Sequence, residues 1–264
     1  MNFSPSVVFR AEIVENLRVT AEIFKLSLRP LEQFSKPSAG QFFMLQIGEA
    51  NDPLLRRPFS IYDLLEDRLV FLYRIRGRGT ALLSEKKSGQ IISVAGPFGR
   101  SYPEPEGREV LVVAGGLGIA SVNYLIKNLL NIGGPCNSKG YSVRLLLGAR
   151  TAQEIILPSD IRPLLSQIMI ATDDGSEGIK GTVVDLLQGV NLTERPVIYA
   201  CGPKAVLMAV DSIAIREGLS AYLSVEERMA CGMGACLGCV VMTGDGYKRV
   251  CKEGPIFRQG ELLW

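Results

Sequence analysis

The 264-residue sequence contains no histidine. That excludes histidine acid–base catalysis, a Ser-His-Asp triad and histidine metal ligation. Any chemistry must come from other side chains or from bound cofactors. Charge of one sign is also scarce, with a net charge of +2. There is no basic tail and no interleaving of basic and aromatic residues, so nucleic acid is not an expected partner. Long apolar runs are missing too. The longest, Val110 to Ala120, is interrupted by three glycines and is too short to cross a bilayer. The opening M-N-F-S-P-S lacks a basic stretch followed by an apolar core, so no signal peptide is expected. These absences predict a cytoplasmic protein without a membrane segment. Apolar residues make up 47 %, enough to build two compact domains and a small appendage.

What is present begins with cysteine. Four of the six lie in one segment: C-G-M-G-A-C-L-G-C from Cys231 to Cys239, then eleven residues, then Cys251. The spacing C-x4-C-x2-C…C places four thiolates around a [2Fe–2S] cluster, as in plant-type ferredoxins. Each iron needs two thiolates, so a tight loop supplies three ligands and a later segment the fourth. Gly232, Gly234 and Gly238 let the backbone curl toward the cluster and aim N–H groups at its sulfurs. A zinc ribbon requires two separated C-x-x-C pairs, and only Cys236 and Cys239 form one. Disulfides need an oxidising compartment, to which nothing else points. Cys136 reads as an idle loop thiol.

Residues 7 to 98 read as short strands rich in β-branched and aromatic residues: Val7–Val14, Thr20–Leu28, Gln41–Ile47, Arg68–Ile75 and Gln90–Val94. With one short helix, Ala81–Lys87, they predict a small closed antiparallel barrel. Two segments, read as loops, carry polar chemistry. In R-R-P-F-S-I, Arg57 could fork onto a phosphate and Ser60 could offer a hydroxyl to a ring nitrogen. In L-Y-R-I-R-G-R-G-T, a strand ends in a glycine turn that could present N–H groups and the Thr80 hydroxyl to a diphosphate. Either alone also reads as a basic strand end with a turn. Beside a cluster motif, the pair reads as a dinucleotide site. Arg74, Arg76 and Arg78 alternate in the manner of a solvated edge.

After a linker at Pro103–Gly107 the texture changes. V-L-V-V-A, V-R-L-L-L-G, I-M-I-A-T and V-I-Y-A-C are continuous apolar strands. Helical stretches, Ser121–Leu130, Asp160–Leu165, Thr182–Gln188 and Lys204–Glu217, separate them. That alternation predicts a doubly wound parallel sheet with ligands beyond its carboxyl ends. There the chain turns through Gly115–Gly118, Gly148–Arg150, Thr172–Gly175 and Ala200–Pro203. The first turn opens a helix whose N–H groups suit a pyrophosphate. A last strand, Ala221–Val225, precedes the cysteines, and a hairpin, Val240–Met242 with Tyr247–Val250, carries Cys251 back to them.

The motifs R-R-P-F-S, L-Y-R-I-R-G-R-G-T, A-G-P-F-G, A-G-G-L-G, L-G-A-R, A-T-D-D-G-S, Y-A-C-G-P and M-A-C-G-M-G-A-C-L-G-C-V occur in order along nearly the whole chain. In these the sequence resembles the ferredoxin-reductase family, and within it the electron-transfer subunits of class B dihydroorotate dehydrogenases. The resemblance implies an FAD-binding barrel at residues 1–102, an NAD-binding α/β domain at 103–222 and a [2Fe–2S] segment at 223–264. It implies FAD against Arg57, Pro58, Phe59 and Ser60, with Leu72, Tyr73 and Arg74 lining the flavin and Gly79 and Thr80 on the diphosphate. The nicotinamide nucleotide would cross Gly115, Gly116 and Gly118, with Cys201 and Gly202 near its ring. Cys231, Cys236, Cys239 and Cys251 would hold the cluster. The expected partner is an FMN-containing catalytic subunit that oxidises dihydroorotate, in a heterotetramer with two copies of each chain. Two positions depart from the wider family pattern: Phe59 stands where Tyr is common, and Ser121 where Pro is common. The alternatives are a subunit of a bifurcating NADH-dependent ferredoxin:NADP reductase, a sulfide- or sulfite-linked reductase, and a non-enzymatic redox sensor without flavin. Trp264 is expected at an interface or as a loose end, and the sequence leaves NAD against NADP open.

Overall fold

A computed structural model describes residues 7–48, 52–132 and 140–264. Cys136 lies outside the described residues. The first half forms one antiparallel sheet of seven strands: β1 (Val7–Arg18), β2 (Ile23–Pro30), β3 (Phe42–Gln46), β4 (Arg57–Ser60), β5 (Asp63–Leu65), β6 (Arg68–Arg74) and β7 (Ile91–Phe98). Their order is β4-β3-β7-β1-β2-β6-β5. The two end strands are consecutive in the chain, so the sheet curls into a barrel through residues 61 and 62. The Ile61 N–H donates to the Gln41 carbonyl at 3.0 Å, and the Tyr62 N–H donates to the Val70 carbonyl at 3.0 Å. Phe9, Phe43, Phe59, Phe71 and Tyr73 fill the interior.

All five strands expected from the sequence are present, but Arg57–Ser60 is a strand and not a loop. Pro58 concealed it. A proline has no N–H to give a ladder, and β4 tolerates one because it pairs on one side only, with Met44 opposite Pro58. The short helix α1 (Arg78–Glu85) starts three residues before the expected Ala81. The Thr80 hydroxyl fixes that start by accepting the N–H groups of Arg76 at 2.8 Å and Gly77 at 3.2 Å.

The second half is a mostly parallel sheet. Its strands are β8 (Glu109–Gly115), β9 (Ser142–Ala149), β10 (Gln167–Thr172), β11 (Ile179–Lys180), β12 (Val197–Cys201) and β13 (Ala221–Ser224). The helices are α2 (Ile119–Leu129), α3 (Val183–Gly189) and α4 (Lys204–Glu217). Alternation along β8 puts Val110, Val112 and Ala114 on α2, and Leu111 and Val113 on α3 and α4. This is the expected doubly wound arrangement. The helix expected over 160–165 is a single 3₁₀ turn, Arg162–Leu164. Pro163 falls inside it and removes a donor that a continuing helix needs.

The C-terminal segment is wedged between the two sheets. It contains the expected hairpin, β14 (Val240–Thr243) with β15 (Gly246–Arg249). A further strand, β16 (Ile256–Arg258), extends the second sheet by pairing antiparallel with β13, which itself crosses residue 222. Val250, Cys251 and Phe257 share one apolar cluster with Phe42, Met44 and Phe98 of the barrel and with Leu223. Trp264 is tied to α4: its Nε1–H donates to Asp211 Oδ2 at 2.7 Å, and Lys204 Nζ lies 5.9 Å from its ring centroid. Among the described residues no helix is long and apolar enough to cross a membrane.

A buried ion pair joins the barrel to the second domain. Lys127 on α2 donates to Asp63 Oδ2 at 2.5 Å and contacts Asp160 Oδ2 at 2.6 Å. Next to it, Asn123 Nδ2–H donates to the Tyr62 carbonyl at 3.0 Å. Removing one partner leaves buried charge uncompensated. Lys127→Met should therefore lose about 3–5 kcal/mol, read as a lower midpoint in urea unfolding. A midpoint equal to wild type would show that the pair does not join the domains.

Candidate iron–sulfur and dinucleotide sites

The cysteine loop has the features that a cluster needs. Gly232 and Gly234 have φ of +71° and +86°, where side-chain-bearing residues are strained. A β-carbon on Gly232 would sit 2.6 Å from Met44 Cγ, so the loop lies directly on β3 of the barrel. Backbone amides point at sulfur: Ala235 N–H donates to Cys231 Sγ at 3.3 Å, Gly238 N–H to Cys236 Sγ at 3.4 Å and Cys251 N–H to Cys239 Sγ at 3.5 Å. Burial alone would raise the Cys231 thiol, but N–H groups of Cys236, Met233 and Ala235 outweigh it and bring it down to about 6. Cys239 and Cys251 are buried. Burial and its neighbour Cys239 push the Cys251 thiol up to about 12. Among the described residues no three His, Cys, Asp or Glu side chains are grouped to hold a single metal ion. A two-iron cluster instead divides its four ligands between two metals. The donor set, the amides aimed at sulfur and the glycine cradle fit a [2Fe–2S] cluster.

On the barrel, strand alternation separates the expected flavin residues into two sets. Phe59 and Tyr73 face inward, with ring centroids 5.8 Å apart, and the Tyr73 hydroxyl donates to Asn16 Oδ1 at 3.0 Å. Burial raises the Tyr73 phenol above its ordinary range. Both rings belong to the barrel core, which also accounts for Phe at position 59: nothing there asks for a hydroxyl. Pro58, Ser60, Leu72 and Arg74 take the alternate positions, on the outer face. Leu72 packs toward α2, and Arg74 pairs with Glu154 of the second domain at 2.8 Å. The two polar segments do meet, since a β-carbon on Gly79 would lie 3.1 Å from Arg57 Nε. The Thr80 hydroxyl is occupied by the helix cap, which leaves backbone N–H groups as the donors that the start of α1 can offer.

In the crevice of the second sheet the glycines have distinct jobs. A β-carbon on Gly118 would lie 2.0 Å from the Cys201 carbonyl oxygen, and one on Gly202 would lie 3.1 Å from Gly115. These residues let the ends of β8 and β12 press together. Gly116, with φ +57°, has nothing within 4 Å of its β-carbon position and faces open space. Cys201 is fully buried, and burial pushes its thiol up to about 12. Its sulfur is not offered at the crevice surface. Sequence reasoning missed the hydroxyl pair beside it, in which Ser121 Oγ lies 3.1 Å from Ser224 Oγ, with the Tyr102 hydroxyl 3.4 Å from Ser121. The departure at Ser121 was the available signal: a serine replaces a residue that cannot hydrogen-bond through its side chain.

Residues 226–263 match the model of the iron-sulfur cluster binding domain of dihydroorotate dehydrogenase B, which covers all four cysteines. A dihydroorotate dehydrogenase B (NAD(+)) electron transfer subunit of Caldanaerobacter subterraneus subsp. tengcongensis is 35 % identical over 97 % of this chain and 98 % of its own. The chain belongs to that family. A subunit of the same name from Bacillus caldolyticus is 38 % identical over 90 % of this chain and 91 % of its own. Among solved structures, an NADH-dependent reduced ferredoxin-NADP oxidoreductase studied for flavin-based electron bifurcation superposes with a TM-score of 0.82. It is 27 % identical and covers 96 % of this chain and 90 % of its own. A ferredoxin NADP+ reductase from Neisseria gonorrhoeae shares the fold, with a TM-score of 0.68 at 18 % identity, over 84 % of this chain and 94 % of its own. The chain therefore has the ferredoxin-reductase fold, with the cysteine segment following the nucleotide sheet.

The crevice geometry makes a paired prediction. Gly116→Ala meets no atom, so it should cost only the left-handed backbone penalty, about 1–2 kcal/mol, a fall of a few degrees in Tm. Gly118→Ala collides with backbone and should lower Tm far more or prevent folding. Equal effects in thermal denaturation would refute the division between an open and a packed glycine.

Proposed function

We propose that this chain is the cytoplasmic electron-transfer subunit of a dihydroorotate dehydrogenase used in pyrimidine biosynthesis. It carries FAD and a [2Fe–2S] cluster and uses NAD. Its partner is an FMN-containing catalytic subunit that oxidises dihydroorotate, two copies of each chain forming a heterotetramer. The observation that carries this reading is the cysteine loop seated on the barrel strand β3, next to β4, in a chain of this family. When bound, FAD exchanges hydride with a nicotinamide and single electrons with an iron–sulfur cluster, which is what joins the two sites.

The side chains supply binding and position. Cys231, Cys236, Cys239 and Cys251 hold the irons, with loop amides stabilising the thiolates. Pro58 and Ser60 offer the outer barrel face to the flavin. Arg57 beside Gly79 neutralises phosphate charge, and the amides at the start of α1 complete that end. Gly116 and the turn into α2 receive the pyrophosphate of NAD, and Gly202 keeps the crevice floor low enough for the nicotinamide. The Arg74–Glu154 pair holds the two dinucleotide regions in register. None of these roles needs a histidine.

The bifurcating reductase is the second reading, favoured by the structural likeness at 27 % identity; relatives at 35–38 % identity over nearly the full chain outweigh it. Cys236→Ser tests the order of the relay. The full-length variant should lose the cluster, keep its flavin and still oxidise NADH with an artificial acceptor at close to the wild-type rate. Loss of that activity in flavin-loaded variant would refute the arrangement.

A further inference from the structure

One peptide unit in the cysteine loop is held from both sides. The Ala235 N–H donates to Cys231 Sγ at 3.3 Å, and the carbonyl of the same peptide, on Gly234, accepts from Arg249 Nη1 at 2.9 Å. In a trans peptide these groups point in opposite directions, so the partner on the carbonyl fixes where the N–H is aimed. Arg249 is itself fixed. Its Nε–H donates to Glu253 Oε2 at 2.9 Å, its Nη2 to Glu253 Oε1, and its backbone N–H to Glu253 Oε2 at 2.8 Å. The guanidinium is thus a rigid fork on a carboxylate with one arm left for the loop. Gly234, at φ +86°, gives the peptide its turn, and a β-carbon there would lie 2.8 Å from Lys252 Cδ.

We propose that Arg249 is a positioning residue for the cluster: it clamps the Gly234–Ala235 peptide so that the amide stays on Cys231, and this contact raises the reduction potential of the cluster. The inference rests on the four cysteines holding [2Fe–2S]. Hydrogen bonds to cluster sulfurs favour the more negatively charged reduced form, and a carbonyl bonded to a cation polarises its own N–H. The partners of a ligand, and not the ligand alone, set the behaviour of the metal.

The test is an EPR-monitored redox titration of full-length holoprotein, with iron and flavin counted in each sample. Arg249→Lys keeps the charge and loses the fork, and Arg249→Gln loses both; each is expected to move the midpoint potential negative. A shift in the Gln variant alone would assign the effect to charge and overturn the positioning role. Glu253→Gln is the milder variant and decides the matter if the arginine variants do not load iron. Deleting a negative charge near the cluster would by itself move the potential positive, whereas a loosened fork moves it negative. A negative shift is expected, and a positive shift or none overturns the proposal. Failure of the underlying site assignment is read separately, as wild-type holoprotein with no reducible [2Fe–2S] signal.

Discussion

Met44 lies under Gly232 so closely that no β-carbon fits between them. That contact decides how the rest of the molecule is arranged. Met44 is fully buried on β3, and its ladder partner on β4 is Pro58, on the face where the flavin is proposed to lie. The cysteine loop therefore rests one strand away from the flavin strand. On the other side β16 joins β13, so the same segment is also part of the nucleotide sheet. A short cysteine-rich segment could not bury enough surface to fold alone. Here it borrows a core from both neighbours, and the borrowed packing sets the distance between redox groups.

The interface between the two larger units adds charge pairs to apolar contact: Ile23, Val70 and Leu72 of the barrel share a core with α2. Lys127 with Asp63, and Arg74 with Glu154, each cross from the barrel to the second unit. Such pairs add little net stability, but they tolerate few alternative arrangements. For a relay that asks no acid–base step of its side chains, relative position is the main thing the protein contributes to the reaction. The glycines at the ends of β8 and β12 serve the same end, by letting those two strand ends press together.

Much of this was legible in the sequence. The cysteine spacing carries its own chemistry, and the change from alternating strands to continuous apolar strands near residue 109 marks the two architectures. Local signals failed where distant partners decide the outcome. Arg57–Ser60 looks like a loop because of Pro58, and only its place at an edge makes it a strand. Asp160–Leu165 looks helical, yet Pro163 limits it to one turn. Phe59, Tyr73 and Cys201 are expected against the cofactors, but their side chains point into cores, a matter of strand parity that motif matching does not resolve. Arg249 gave no signal at all, since its partners are Gly234 and Glu253 and the motif spans only the cysteines and glycines.

The central claim is a relay that ends in NADH while the pyrimidine chemistry stays on a partner. The most direct measurement uses the complex recovered anaerobically from native extract. Dihydroorotate and NAD+ are added, NADH formation is followed, and FAD, FMN and iron are counted in the same sample. The account predicts NADH formation, with FMN on a co-purifying subunit and FAD and iron on this chain. No NADH from dihydroorotate, together with rapid flavin bleaching by added NADH, would contradict it and leave a reductase module serving some other donor.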